Sequence, residues 1–278
     1  MSNVIEQAWP PENVGESLHT PRIIAVANQK GGVGKTTTTI NLGTGLAAVG
    51  RRVLIIDLDP QGNASTGLGI DRHNRRVSIY DLLLGAASLE QAVVPTAVPG
   101  LALVPSTVDL SGAELELIGL PKRSYRMRDA LRGTGAPFDF ILIDCPPSLN
   151  LLTVNALVAA DSVLVPLQCE FFALEGLSLL LKTIQRIRDS FNPDLTIEGV
   201  VLTMFDRRNN LSDQVAADVR QHLGQQVYET VIPRNVRISE APSHGQPALL
   251  YDHRCAGSVA YMRLASEMLR RARCAEAA

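Results

Sequence analysis

Residues 29–37 read Gln-Lys-Gly-Gly-Val-Gly-Lys-Thr-Thr, a stretch with two lysines, three glycines and two hydroxyls. Glycines let consecutive backbone N–H groups turn toward one centre, and a helix opening just afterwards adds its positive end, so such a loop wraps an anion. The anion that suits it is a polyphosphate. Lys35 supplies a compact cation for the β- and γ-phosphates, the Thr36 hydroxyl is placed to ligate Mg²⁺, and Thr37 to cap the α-phosphate. The backbone of Lys30, Gly31, Gly32, Val33 and Gly34 completes the cradle. The common pattern G-x-x-x-x-G-K-[ST] is not fully met, because Gln29 stands where its first glycine belongs and Lys30 brings a second lysine.

Two further segments end an apolar run in carboxylates. Val53–Ile56 leads into Asp57-Leu58-Asp59-Pro60-Gln61-Gly62-Asn63, and Phe140–Ile143 leads into Asp144-Cys145-Pro146-Pro147. A carboxylate at the C-terminal end of a parallel strand stands where α/β sheets bind ligands. Hydrolysis of a triphosphate needs one group to orient an attacking water and another to hold the hydration shell of Mg²⁺. Asp57 and Asp59 should face the γ-phosphate, and Asp144 should bind Mg²⁺ through water. The paired prolines fix a stiff turn, which suits a segment that senses the γ-phosphate. Cys145 reads as buried packing.

These residues need a scaffold, and the rest of the chain supplies its pattern. Short β-branched runs at Ile23–Ala27, Val53–Ile56, Leu101–Val104, Ile141–Ile143, Val163–Val165 and Val200–Leu202 recur with helical segments between them. The runs are continuously apolar, as strands covered on both faces must be. The expected fold is therefore α/β: a doubly wound, mostly parallel sheet with helices on both faces. Residues 36–49 have helical spacing, with Gly50 suited to the left-handed position that ends a helix. Gly43-Thr44-Gly45 fits part of a dinucleotide fingerprint but lies inside that helix, so it reads as chance or close packing.

With 278 residues, 46% of them hydrophobic, the chain can bury a large core. The expected division is a flexible tail over 1–21, one ATPase domain over 22–274 and a short tail over 275–278. Net charge is −2 and the pI about 6.2, so any nucleic-acid binding must come from a local patch. Four scattered cysteines without a C-x-x-C pair fit a reducing cytoplasm. The first residues hold no apolar core for a secretory signal, and residues 151–167 are too short and polar to span a bilayer. No membrane association is expected. Zinc-hydrolase, serine-elbow and nicotinamide-binding patterns are absent or misplaced.

The loop Lys30-Gly31-Gly32-Val33-Gly34-Lys35-Thr36 fills every required position of the deviant form K-G-G-x-x-K-[ST], and on it the chain resembles the ParA family within the ParA/MinD group of P-loop ATPases. Residues 166–176 and 231–243 match that family as well. The resemblance implies an ATPase with ATP and Mg²⁺ as its ligands. It gives Lys30 a reach across a dimer interface to the partner's phosphates, makes Asp59 the water-positioning residue, and sets Asp57 behind the metal shell. Lys30, Lys35 and Asp59 are then the catalytic set, with Thr36, Asp59 and Asp144 around the metal. Pro233 and Asn235 line the adenine pocket, proline as an apolar wall and asparagine as donor and acceptor. Residues 166–176 belong to the dimer face. The resemblance further implies an ATP-dependent homodimer that binds nonspecific DNA at the nucleoid, and a ParB-type centromere-binding partner that stimulates hydrolysis, together driving chromosome or plasmid partitioning. Arg207, Arg208, Arg254 and Arg263 are the expected DNA contacts, since neutralising phosphates needs no base readout.

Three readings compete on the same fold. A MinD-like positioning ATPase needs an amphipathic C-terminal helix for the membrane surface, whereas residues 258–273 look like a helix docked on the domain. An iron-sulfur reductase relative needs cysteines that bridge a cluster, and the residues flanking Cys145 and Cys169 match ParA instead. A non-hydrolysing binder would use ATP only as a structural ligand, and γ-phosphate release separates it from an ATPase.

Overall fold

The computed structural model describes residues 20–132 and 137–276; residues 1–19 of the expected tail lie outside them. Eight strands form one sheet: β1 Arg22–Val26, β2 Val53–Asp57, β3 Val94–Pro95, β4 Leu101–Val104, β5 Phe140–Asp144, β6 Ser162–Gln168, β7 Thr196–Phe205 and β8 Val227–Pro233. Their order across the sheet is β3-β4-β2-β5-β1-β6-β7-β8. Every pairing is parallel except the two-residue edge β3, which runs antiparallel to β4.

Alternate residues of each strand serve opposite layers. In β1, Ile23 and Ala25 enter a core shared with the helices Ile79–Leu84, Leu110–Ile118, Leu151–Ala159, Ala173–Ser190 and Asn210–Leu223. Ile24 and Val26 enter a second core shared with Lys35–Ala48 and the long last helix, Ala256–Glu276. Both faces are therefore covered, which is why the strands read as unbroken apolar runs. The doubly wound α/β class expected from the alternation is the fold observed. The last helix docks on the first helix and β8, and continues to Glu276.

The glycines inside the first helix have a packing reason. A Cβ on Gly43 would lie 2.9 Å from Ile55 Cδ1, and one on Gly45 would lie 3.2 Å from Ala265 Cβ. These two positions let the helix settle onto β2 and onto the last helix.

The register places the site. Val26, Asp144 and Asp57 are lateral neighbours, Val26 beside Asp144 and Asp144 beside Asp57, so the ends of β1, β5 and β2 stand in one row. The phosphate loop leaves from the first, and a carboxylate crowns each of the other two.

Candidate nucleotide site

Between β1 and the first helix, the loop turns through Gly32 and Gly34, with φ of 74° and 88°. Only glycine takes this conformation cheaply, and a Cβ on Gly31 or Gly32 would meet nothing within 4 Å, so their backbone faces open space. Two side chains pin the loop to the sheet. Thr203 Oγ1, near the end of β7, donates to the Val33 carbonyl at 2.8 Å. Asn28 Nδ2 donates to the Pro166 carbonyl at 2.8 Å, while Asn28 Oδ1 accepts from the Lys30 N–H at 3.0 Å. Val33 itself is buried, so its part in the cradle is backbone only.

Above the loop lies a cleft of about 510 Å³, lined by Gly31, Gly32, Gly34, Lys35, Thr36, Thr37 and Asp59 at one end. Met204, Ile232, Pro233, Asn235, Ile238 and Pro242 line the other. That volume lies within the range of small-molecule sites. Hydroxyls, an ammonium and a carboxylate thus gather at one end, and the other is mainly apolar with Arg234, Asn235 and Ser239 as its polar groups, a division that suits a nucleotide.

Lys35 is 7% exposed, and its ammonium donates to the Lys30 carbonyl at 3.0 Å. Burial lowers its pKa, while Asp144, Cys145 and Asp59 act the other way. Asp144 is fully buried. Its Oδ1 accepts from Thr39 Oγ1 at 3.3 Å, and its Oδ2 has no hydrogen-bond partner among the described residues. Burial, followed by the charge of Asp57, pushes its pKa well up, against the Thr36 hydroxyl and the Lys35 ammonium. A buried carboxylate oxygen without a donor is expensive, and a metal-bound water would satisfy it. Among the described residues, no cluster of three His, Cys, Asp or Glu could hold a metal on its own. The donor set fits Mg²⁺, which keeps several waters and takes few protein ligands.

The two carboxylates beyond β2 differ. Asp59 lines the cleft, its Oδ1 accepting from the Gln61 N–H at 2.9 Å. Asp57 is fully buried and turned to Ser65, accepting from its N–H at 2.8 Å and its hydroxyl at 2.6 Å. Burial raises the Asp57 pKa to about 6, with the Ser65 hydrogen bonds opposing. Asp57 does not line the cleft, so it reaches the site through its neighbour Asp144. Cys145 is also buried, which pushes its thiol up and makes it packing.

Lys30 departs from the cleft. Its ammonium makes an ion pair with Glu170, just beyond β6, and both groups are partly exposed. At the far end, Asn235 caps the short helix Val236–Glu240, its Oδ1 accepting from the Arg237 N–H at 2.9 Å. The acceptor expected to meet a base is therefore already engaged, and the Nδ2 donor remains for it.

The cleft residues that sequence reasoning missed are Thr203, Met204 and Tyr261. Met204 has a φ of 48°, rare for a residue with a side chain and characteristic of functional sites. Tyr261, on the last helix, sets its hydroxyl 3.2 Å from Thr38 Oγ1. Neither carries a local signal, because each arrives from a distant element by packing. The four arginines expected at DNA lie outside the cleft lining. Arg207 and Arg208 follow β7, Arg254 leads into the last helix and Arg263 lies on it, all exposed.

Glycine loop, buried lysine and paired strand-end carboxylates together define a P-loop ATPase whose loop carries a second lysine. Comparison with known proteins bears this out. Residues 21–197 match a family model described as an AAA domain. A chromosome partitioning protein ParA of Caulobacter vibrioides is 64% identical over 259 residues, 92% of this chain and 97% of that one. Among solved structures, a Mycobacterium smegmatis protein described as cobyrinic acid a,c-diamide synthase, with bound ATP analogue and magnesium, is 40% identical with a TM-score of 0.80, covering 91% of this chain and 96% of that one. The cell division ATPase MinD of Pyrococcus furiosus is 30% identical with a TM-score of 0.75, over 90% and 98%. The chain belongs to the ParA family of ATPases. No helix among the described residues is long and apolar enough to cross a membrane.

Proposed function

We propose that this ATPase works in chromosome or plasmid partitioning as an ATP-dependent sandwich dimer on nonspecific DNA, with one ATPase domain over 22–274. The observation that carries the reading is the division of labour between the two loop lysines. Lys35 lines the cleft of its own chain, whereas Lys30 leaves that cleft and stands partly exposed beside Glu170. A lysine so placed is available to a second copy.

Within one chain, Lys35 and the backbone of residues 30–34 hold the β- and γ-phosphates, and Thr37 caps the α-phosphate. Thr36 and, through water, Asp144 would hold Mg²⁺, which would supply positive charge against the phosphate oxygens. Asp59, at the phosphate end, orients the attacking water and borders the metal's hydration shell. Asp57, the lateral neighbour of Asp144, stands behind it and supports the metal's hydration shell. Pro233 walls the base and Asn235 donates to it from Nδ2. Lys30 of each copy meets the other's γ-phosphate and stabilises charge that develops on transfer, which ties dimerisation to the triphosphate.

DNA then binds to a surface assembled from both copies, with Arg207, Arg208, Arg254 and Arg263 as its contacts, on the cytoplasmic nucleoid. A ParB-type partner stimulates hydrolysis and releases the dimer. The test is retention on nonspecific duplex DNA with ATP, ADP or no nucleotide at two salt concentrations, with mass followed by light scattering. Doubled mass and salt-sensitive retention with ATP alone are expected. Equal retention in all three states, or monomers throughout, would overturn the reading.

A further inference from the structure

Arg75 is 8% exposed, and its guanidinium faces neutral acceptors. Nε and Nη2 donate to the Ile70 carbonyl at 3.1 and 2.8 Å, and Nη2 also donates to Thr66 Oγ1 at 2.9 Å. Nη1 donates to the Ser106 carbonyl at 3.1 Å and, at 3.5 Å, to the Gly62 carbonyl. A buried cation without a hydrogen-bonded carboxylate costs desolvation, which its hydrogen bonds and the nearby Asp57 charge must offset. A planar fork with five donors, however, can fix several backbone segments at once.

The segments it grips carry Asp59. The Gly62 N–H closes a turn on the Asp59 carbonyl at 2.9 Å, and Gly62 sits so close to the guanidinium that a Cβ there would lie 2.4 Å from Nη1. Thr66 belongs to the short helix that follows this turn. Ser106 lies just past β4, the strand beside β2, and therefore stands on the sheet. Ser65 Oγ, which donates to Asp57, accepts in turn from the Ser106 N–H at 3.1 Å, so a second tie runs parallel to the first.

We infer that Arg75 is a positioning residue for ATP hydrolysis: its fork clamps Gly62 and Thr66 to Ser106 and so fixes where the Asp59 turn stands over the phosphate loop. Arg75 does not line the cleft and acts only through that turn. The inference rests on the proposed role of Asp59. A lysine in its place keeps the charge but offers one point instead of a fork, leaving the turn free to drift. Drift of about 1 Å in a reacting group costs on the order of 100-fold in rate.

The test compares Arg75→Lys and Thr66→Val with the unaltered chain for kcat, KM for ATP, binding of a fluorescent ATP analogue and melting midpoint without nucleotide. Arg75→Lys is expected to lose about 10- to 100-fold in kcat with KM and analogue binding changed by less than about threefold. Thr66→Val keeps the guanidinium but removes one of its acceptors together with the hydroxyl's own bond to the Gly62 carbonyl at 3.0 Å, so it loosens the same turn and should show a smaller loss of the same kind. An unchanged kcat in Arg75→Lys, or a loss matched by equal losses in binding and melting midpoint, overturns the inference. If Arg75→Lys does not fold, Thr66→Val decides: lower kcat at constant KM supports the clamp, and an unaltered rate removes it. Asp59→Ala, measured alongside, separates the two levels. Should it turn over normally while Arg75→Lys is slow, the role of Asp59 falls. Should it be inactive while Arg75→Lys is normal, the clamp alone falls.

Discussion

Lys35 and Asp59 line the same cleft, and on the proposed function they serve different steps. The Lys35 ammonium is already desolvated and donates to a loop carbonyl, so a phosphate can take its charge with little further loss of hydration. Lys35→Ala is expected to abolish ATP binding in calorimetry, and normal affinity would remove the phosphate-loop assignment. Asp59→Ala should keep ATP binding and lose about 10²- to 10⁴-fold in turnover, the usual worth of a positioned base. Unimpaired hydrolysis would show that another group orients the water. Among the described residues the Lys30 ammonium is paired with Glu170, and a partly exposed ion pair is worth about 1 kcal/mol at most. Glu170→Gln should therefore lower the ATP concentration at half-dimerisation by up to about fivefold. A shift in the opposite direction by light scattering would mean that Glu170 assists the dimer instead of competing for the lysine.

The last helix is tied to the sheet by one buried carboxylate. Glu267, 4% exposed, accepts from the N–H groups of Glu229 and Thr230 at 2.8 and 2.9 Å and from Arg271 at 2.7 Å. Burial alone would raise its pKa; the Thr230 side chain, the two backbone donors and Arg271 outweigh it, and the net shift is down from 4.5. A depressed carboxylate contributes stability above its unfolded pKa and loses it as pH falls through the folded one. Glu267→Gln should cost about 1.5–3 kcal/mol at pH 7 in urea unfolding, the worth of hydrogen bonds to a charged group. The deficit should begin to shrink as pH falls below about 4.5, where the unfolded carboxyl protonates, and should be lost only as pH falls through the lower pKa of the native one. A pH-independent deficit would assign the loss to packing. This tie was invisible in the sequence, and the reason is general to the fold. Residues 29–37 and the Asp57 and Asp144 segments were legible because their chemistry is contiguous and each follows an apolar run. β8 was not, since Val-Tyr-Glu-Thr-Val-Ile-Pro breaks that run with an exposed glutamate in a half-covered strand. β3 is too short to carry a period. Arg75, Tyr261, Thr203 and Glu267 are defined by what tertiary packing brings to them, which no local pattern encodes. For Asp57 the sequence placed the residue at the right strand end but not its side chain, because the direction was decided by Ser65.

On the proposed function, a slightly acidic chain must gather its DNA affinity from few contacts, so neighbouring acids matter as much as the arginines. Arg208 donates to Asp206 from Nε at 3.0 Å and Nη2 at 2.9 Å, and these bonds hold the Asp206 carboxyl down at about 2. That aspartate is therefore ionised throughout the working pH range and offsets the arginine beside it. Arg207, exposed between the two, makes no ion pair among the described residues, because the Asp206 carboxylate is committed to Arg208. Each phosphate contact contributes a slope of roughly −0.9 to log K against log salt, and a dimer carries every arginine twice. Arg207→Ala should therefore flatten the slope of the ATP-loaded dimer by about 1.8, whereas Arg208→Ala should flatten it by less. Asp206→Asn should tighten DNA binding by releasing Arg208 to phosphate. The measurement is a salt titration of DNA retention at saturating ATP. Equal slopes for Arg207→Ala and the unaltered chain would move the DNA surface off the loop after β7 and onto the last helix, where Arg254 and Arg263 would have to supply the contacts.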